Sequence, residues 1–113
     1  MTNGSISTRT VHSIIPAVNI LETPEAYIVT LDIPGALKET ISAAIENDLL
    51  LVTADVAEYA AGDRTESARQ YRREFTLAND IDAQSIDAQY EAGVLTITLN
   101  KKKQYLPKQI TIN

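Results

Sequence analysis

Cysteine and tryptophan are absent from the 113 residues, and histidine, phenylalanine and methionine occur once each. Without cysteine there are no disulfides and no thiolate chemistry, which agrees with a reducing compartment. The one histidine, His12, stands beside Ser13 near the N-terminus. A nucleophile with its base would have to be built around that single imidazole, and a zinc site would have only carboxylates to complete it. We therefore expect no catalysis, no cofactor and no metal centre. Asp80, Asp82 and Asp87 cluster in "NDIDAQSID" but lack the spacing and glycine of a calcium loop, so a solvated turn is expected there. The four glycines, at 4, 35, 62 and 93, form no phosphate-cradling motif.

Positive charge is also scarce. Ten basic residues against fifteen acidic ones leave a net charge of -5, and only Lys101, Lys102 and Lys103 stand together. Arg72 and Arg73 in "YRRE" read as a salt-bridging strand face, so no nucleic-acid partner is expected. Long apolar runs are missing too: nothing approaches the roughly eighteen residues of a membrane span. The start "MTNGSISTRT" lacks the charged-then-apolar order of a signal peptide. These absences together predict a cytoplasmic location and no membrane span.

What the chain does have is alternation. Apolar residues make up 44% of it, enough for one domain with a core, and their period is two far more often than 3.6. In "AYIVTLDI" Tyr27, Val29, Leu31 and Ile33 share a face, and Pro34–Gly35 stops the strand. Ile41, Ala43 and Ile45 alternate before a short turn at Asn47–Asp48 into "LLLVTADV". Tyr71, Arg73, Phe75 and Leu77 share a face of "YRREFTL". Ile86, Ala88 and Tyr90 follow, and Gly93 marks a tight hairpin into "VLTITLN". About seven short strands with turns between them predict an all-β fold, an immunoglobulin-like antiparallel sandwich. Between Val56 and Tyr71 the sequence "AEYAAGDRTESARQ" carries no clear strand, and either a functional loop or a short helix at "DVAEYAA" fits it.

The chain ends "KQITIN", with Ile110 and Ile112 one residue apart. Terminal segments are usually poorly ordered unless something ties them down. Two large apolar side chains on one face of an extended tail suit strand addition at an exposed sheet edge. Pairing of the tail with its own domain remains an alternative.

Three segments together resemble the small heat-shock protein family, built on the α-crystallin domain. "PAVNILETPEAYIVTLDIPGALKETI" resembles its opening strands with their "DIPG" turn. "AQYEAGVLTITLNKK" carries its A-x-x-x-x-G-V-L signature as Ala88, Gly93, Val94 and Leu95. Ile110 and Ile112 resemble its I-x-I tail. The resemblance implies a short flexible N-terminal arm at 1–15, a sandwich domain at 16–101 and a C-terminal extension at 102–113. It also implies an ATP-independent holdase that binds unfolding client proteins, with self-association into dimers and higher homo-oligomers.

In the family the tail of one subunit docks at the edge of a neighbour's sandwich. By position, the groove here would be lined by Ile41, Ala43, Ile45, Ile86, Ala88 and Tyr90, although the same residues equally suit an inward core. Arg64, Glu66 and Tyr71 match part of the family's dimerisation loop, which is shorter here and has Arg69 where glycine is usual. Client capture would fall to Ile6, Val11, Ile14 and Ile15 in an arm shorter and less aromatic than the family's. A co-chaperone-type or structural sandwich module without holdase action is the alternative reading.

Overall fold

The computed structural model describes residues 10–56 and 67–106 of the chain. Eight strands are present among them: β1 (Thr10–Ile14), β2 (Ala17–Glu22), β3 (Ala26–Asp32), β4 (Ser42–Glu46), β5 (Leu49–Asp55), β6 (Ser67–Thr76), β7 (Ile81–Glu91) and β8 (Val94–Lys101). Single 3-10 turns at Lys38–Thr40 and Lys103–Tyr105 are the only helical pieces described, so no described helix is long and apolar enough to cross a membrane. The strands form two four-stranded sheets, ordered β1-β6-β5-β4 and β2-β3-β8-β7. Pairing is antiparallel except between β1 and β6, which run parallel.

The strongest alternations build the centre. Val29 and Leu31 of β3, Leu50, Val52 and Ala54 of β5, and Leu95, Ile97 and Leu99 of β8 are buried in one cluster with Ile33 and Ile81. Their polar alternates, such as Thr30, Thr53, Thr96 and Thr98, stay partly exposed on the outer faces. This is a sandwich core, two inner faces interdigitating while every second residue meets solvent.

The turns follow from backbone chemistry. Ile33-Pro34-Gly35-Ala36 closes with the Ala36 N–H on the Ile33 carbonyl at 3.2 Å, with Gly35 at φ +81°, the arrangement a type II turn assigns to proline followed by glycine. Asn47 and Asp48, at φ 53° and 64°, form the two-residue β4–β5 turn, and Ala92 and Gly93, at 52° and 82°, form the β7–β8 turn. Two consecutive positive φ values match the right-handed twist of the flanking strands.

Three sequence expectations are corrected. Strand β6 begins at Ser67, inside the stretch read as loop: a polar strand shows no apolar period, and its pairing partners supply the order instead. Strand β7 begins at Ile81, so of the "NDIDAQSID" turn only the first residues remain a turn; an irregularity between Ile81 and Ile86 breaks the alternation that would have marked the strand. Thr10–Ile14 forms β1 on the edge of β6, although it was read as part of the arm. Ile6, Arg64, Glu66, Ile110 and Ile112, and most of the helix alternative at "DVAEYAA", lie outside the described residues.

Candidate binding groove

Only Ile15 and Pro16 separate β1 from β2, so these two edge strands lie on the same side of the sandwich. The other two edge strands, β4 and β7, therefore face each other across the opposite side. A shallow cleft of about 420 Å³ marks one end of that side. It is lined by Asp48 of the β4–β5 turn, Ile81 and Gln84 of β7, and Lys102 and Tyr105 where the chain leaves the sandwich.

The six groove positions named from sequence divide in an informative way. Ile41 and Ile45 next to and within β4, and Ile86 and Tyr90 of β7, are half-buried and pack against the core. Ala43 and Ala88 share their inner faces. Ala43 is paired with buried Val52, and Ala88 with buried Ile97. Both alanines are nevertheless exposed. Two small residues on the inner faces thus still meet solvent beside larger, half-buried apolar side chains. Ile41, Ile45, Ile86 and Tyr90 pack against the core, while Ala43 and Ala88 lie exposed between them.

The "DIPG" turn is held against the β7–β8 hairpin by direct contacts. The Ile33 N–H donates to the Gly93 carbonyl at 2.8 Å, the Tyr90 hydroxyl donates to the Ile33 carbonyl at 3.3 Å, and the Tyr71 hydroxyl donates to the Pro34 carbonyl at 2.7 Å. A Cβ on Gly93 would stand 3.4 Å from the Pro34 Cα. Two sequence motifs almost sixty positions apart therefore meet in space. Gly93 serves both as a turn residue and as a close-approach point. Of the loop residues named from sequence, Tyr71 alone is described, and it anchors this turn.

At the end from which the tail departs, four side chains from separate segments converge. The Tyr27 hydroxyl donates to both Asp80 carboxylate oxygens, at 2.9 and 3.1 Å. Lys101 Nζ donates to Glu22 Oε2 at 2.8 Å and lies 5.0 Å from the Tyr27 ring centroid. The Lys101 side chain is only 9% exposed, although its partner Glu22 is largely open to solvent. The Lys101 and Lys102 N–H groups donate to the Glu25 and Asp80 carbonyls at 2.9 and 2.7 Å. The hydrogen bond to Asp80 pushes the Tyr27 hydroxyl above its ordinary value, and the hydrogen bond to Glu22 does the same for the Lys101 ammonium. Sequence reasoning missed this knot. Tyr27 read as a plain inward residue, and nothing in a linear pattern joins it to Asp80, 53 positions away.

On the opposite side, β2 is an edge strand whose apolar residues lie largely open: Ile20 is 56% and Leu21 58% exposed, and neighbouring Ile15 is 73% exposed. Ile14 of β1 is half-buried beside them, and of Val11 only the backbone is described. Among the described residues this edge has no partner strand, and apolar side chains on both its faces favour strand pairing.

The Hsp20/alpha crystallin family model matches residues 19–113. The 18.6 kDa class III heat shock protein of Oryza sativa subsp. japonica is 33% identical over 115 residues, covering 84% of this chain and 67% of that protein. Spore protein SP21 of Stigmatella aurantiaca is 33% identical over 107 residues, covering 87% of this chain and 62% of that protein. Among solved structures, HSP18.5 from E. histolytica superposes with a TM-score of 0.67 at 25% identity, covering 88% of this chain and 96% of that one. The chain thus spans about two thirds of the length of these two curated relatives.

Proposed function

The chain belongs to the Hsp20/alpha crystallin family, a family of small heat-shock chaperones, and from that premise we propose that it is an ATP-independent holdase. It would act in the cytoplasm, binding unfolding proteins and limiting their aggregation. Its assembly runs through dimers and then through docking of Ile110 and Ile112 into a neighbour's groove. The observation that carries this reading is the pair Ala43 and Ala88, two exposed small residues among half-buried apolar ones on the inner faces of β4 and β7.

Small residues leave room for large ones. Burying two isoleucines contributes roughly 3 to 6 kcal/mol gross, from which the ordering of the tail and the lost rigid-body freedom must be subtracted. A single docked tail is therefore weakly held. Several tails engaged at once raise the effective affinity, so an assembly built this way is stable and still exchanges subunits. The exposed β2 edge supports dimerisation, with Arg64, Glu66 and Tyr71 as the loop residues that take part. Ile6 and Ile15 supply adaptable apolar surface for clients, while Val11 and Ile14 are held in β1 by its pairing with β6. No residue is assigned a catalytic role.

Light scattering of a heat-labile client tests the holdase directly. Near-stoichiometric amounts of this protein should suppress scattering without ATP. Undiminished scattering, with the protein itself folded, would instead favour a structural or co-chaperone-type module.

A further inference from the structure

The chain from Thr10 to Glu22 is one extended run that changes sheets midway. Its first part, β1, lies on the edge of β6, and after Ile15 and Pro16 its second part, β2, lies on the edge of the other sheet. The two parts are held differently. Strand β2 pairs antiparallel with β3 along its whole length, and its Val18 packs against the core. Strand β1 has five residues and pairs in parallel, the less stable ladder per residue. Of its described side chains, His12 and Ser13 are exposed and Ile14 is half-buried. His12 stands opposite Arg69, so no opposite charge holds it there. Pro16, between the two parts, is buried.

Strand β1 also covers only half of the edge it sits on. Strand β6 runs for ten residues. Its Ser67–Tyr71 half is paired with β1, while Arg72–Thr76 has no partner on that side among the described residues. The other edge of β6 is paired with β5, whose Leu50, Val52 and Ala54 are buried. Strand β6 therefore keeps its place whether β1 is present or not.

We infer that β1 is a releasable strap with buried Pro16 as its fixed end, and that its release opens the whole edge of β6 to an extended segment of an unfolding protein. This rests on the holdase reading above and names the surface that captures the client. Segments that bury few apolar side chains open at the lowest free energy, so β1 leaves before the strands of the core. What it leaves is a continuous strand edge of ten residues. Such an edge accepts almost any extended chain, because the main chain supplies the hydrogen bonds. The present occupant shows how little this edge demands, since β1 is seated there by backbone pairing with a single half-buried side chain among those described. An unfolding protein offers extended segments of this kind, and a folded one does not. Release also frees Val11 and Ile14 to join exposed Ile15 beside the captured segment.

The absence of cysteine lets one disulfide lock the strap. Ser13 and Gln70 are directly opposed, and neighbouring strands lie about 4.8 Å apart, within disulfide reach. The full chain carrying S13C and Q70C is compared, oxidised and reduced, for suppression of scattering by a heat-labile client without ATP. A chain carrying T53C and R72C, which links β5 to β6 at opposed positions, is the control. The reduced S13C/Q70C chain should match the unsubstituted one, and the oxidised chain should need at least about tenfold more protein, because its competent state is removed. The control should behave alike in both forms. Equal suppression by oxidised and reduced S13C/Q70C overturns the inference, and so does an equal loss in the oxidised control. If the unsubstituted chain does not suppress scattering, the holdase reading falls and the client role of this edge falls with it. Hydrogen exchange tests the strap separately: amides of residues 11–14 should exchange at least about tenfold faster than those of Val29, Leu50 and Ile97, and equal rates would show that β1 is not releasable. A photocrosslinker carried on the substitution R69C, at an exposed position opposite β1, reads the occupant. Heating with the client should give client adducts, and adducts only between two copies of this chain would overturn the client assignment.

Discussion

Gly93 is the single residue with the most demands on it. Its backbone lies at φ +82°, its carbonyl accepts from Ile33, and the space where a Cβ would stand is bounded by Pro34. A left-handed backbone costs an L-residue about 1 to 2 kcal/mol, and the 3.4 Å from that Cβ to the Pro34 Cα is ordinary van der Waals contact, so the backbone carries the cost. Gly93→Ala should therefore lower unfolding free energy by about 1 to 2 kcal/mol, read from urea denaturation. A change within experimental error would mean the hairpin moves freely against the "DIPG" turn. The glycine was legible in the sequence as a turn residue. Its contact with Pro34 was not, because tertiary approach between distant motifs leaves no local periodic trace.

The Tyr27–Asp80 and Lys101–Glu22 pairs make a second residue-scale expectation. Both Tyr27 and Lys101 titrate above their ordinary values of 10.0 and 10.5 in the folded protein. The folded state thus holds those protons more tightly than the unfolded one, and stability rises wherever it binds the extra proton. Their contribution is fully present below pH 10 and is lost as the pH rises through the folded values. The urea midpoint should fall in that alkaline range, and Tyr27→Phe should flatten part of the fall. An identical alkaline profile in the variant would remove Tyr27 from the linkage.

Among the elements, β3, β5 and β8 were legible because each buries one face and alternates cleanly. Those that were not legible lack such a face. Strand β1 and the first half of β6 hold each other by parallel backbone pairing from Thr10–Ser67 to Ile14–Tyr71, with no apolar alternation to announce it. Periodicity reports burial, and backbone pairing at a polar edge is silent in it. For the candidate site, alternation gave the inner-facing set on β4 and β7, but only the pairing of two sheets could tell which members the opposite sheet covers.

The β2 edge carries its own expectation. Ile20→Glu together with Leu21→Glu replaces two exposed apolar residues, so the isolated sandwich should keep its fold. If a second subunit covers this edge, each lost burial costs about 1.5 to 3 kcal/mol of association, which raises the dimer dissociation constant by more than tenfold per residue on the logarithmic scale of affinity. Sedimentation across a concentration range reads this out. An unshifted monomer–dimer equilibrium would place the dimer contact elsewhere, with the edge of β1 as the next candidate.

At the scale of the whole molecule, two edges on opposite sides of one sandwich give each subunit two separate associations. One edge, β2, is apolar and open. The other, between β4 and β7, is the edge on which tail docking is proposed, with Ala43 and Ala88 exposed among larger apolar side chains. On the proposed reading, separate weak contacts would close into assemblies that lose tails first when warmed or diluted, which would couple stress to the exposure of apolar surface. The lysine-rich approach to the tail and the acidic residues along that edge add an attraction that salt should weaken. The measurement that tests this arrangement most directly is the native mass, over a range of concentrations, of the full chain beside a chain ending at Lys108. The result expected is a large oligomer for the full chain and a dimer for the shortened one. Equal masses for the two would contradict it, because Ile110 and Ile112 would then hold no subunits together.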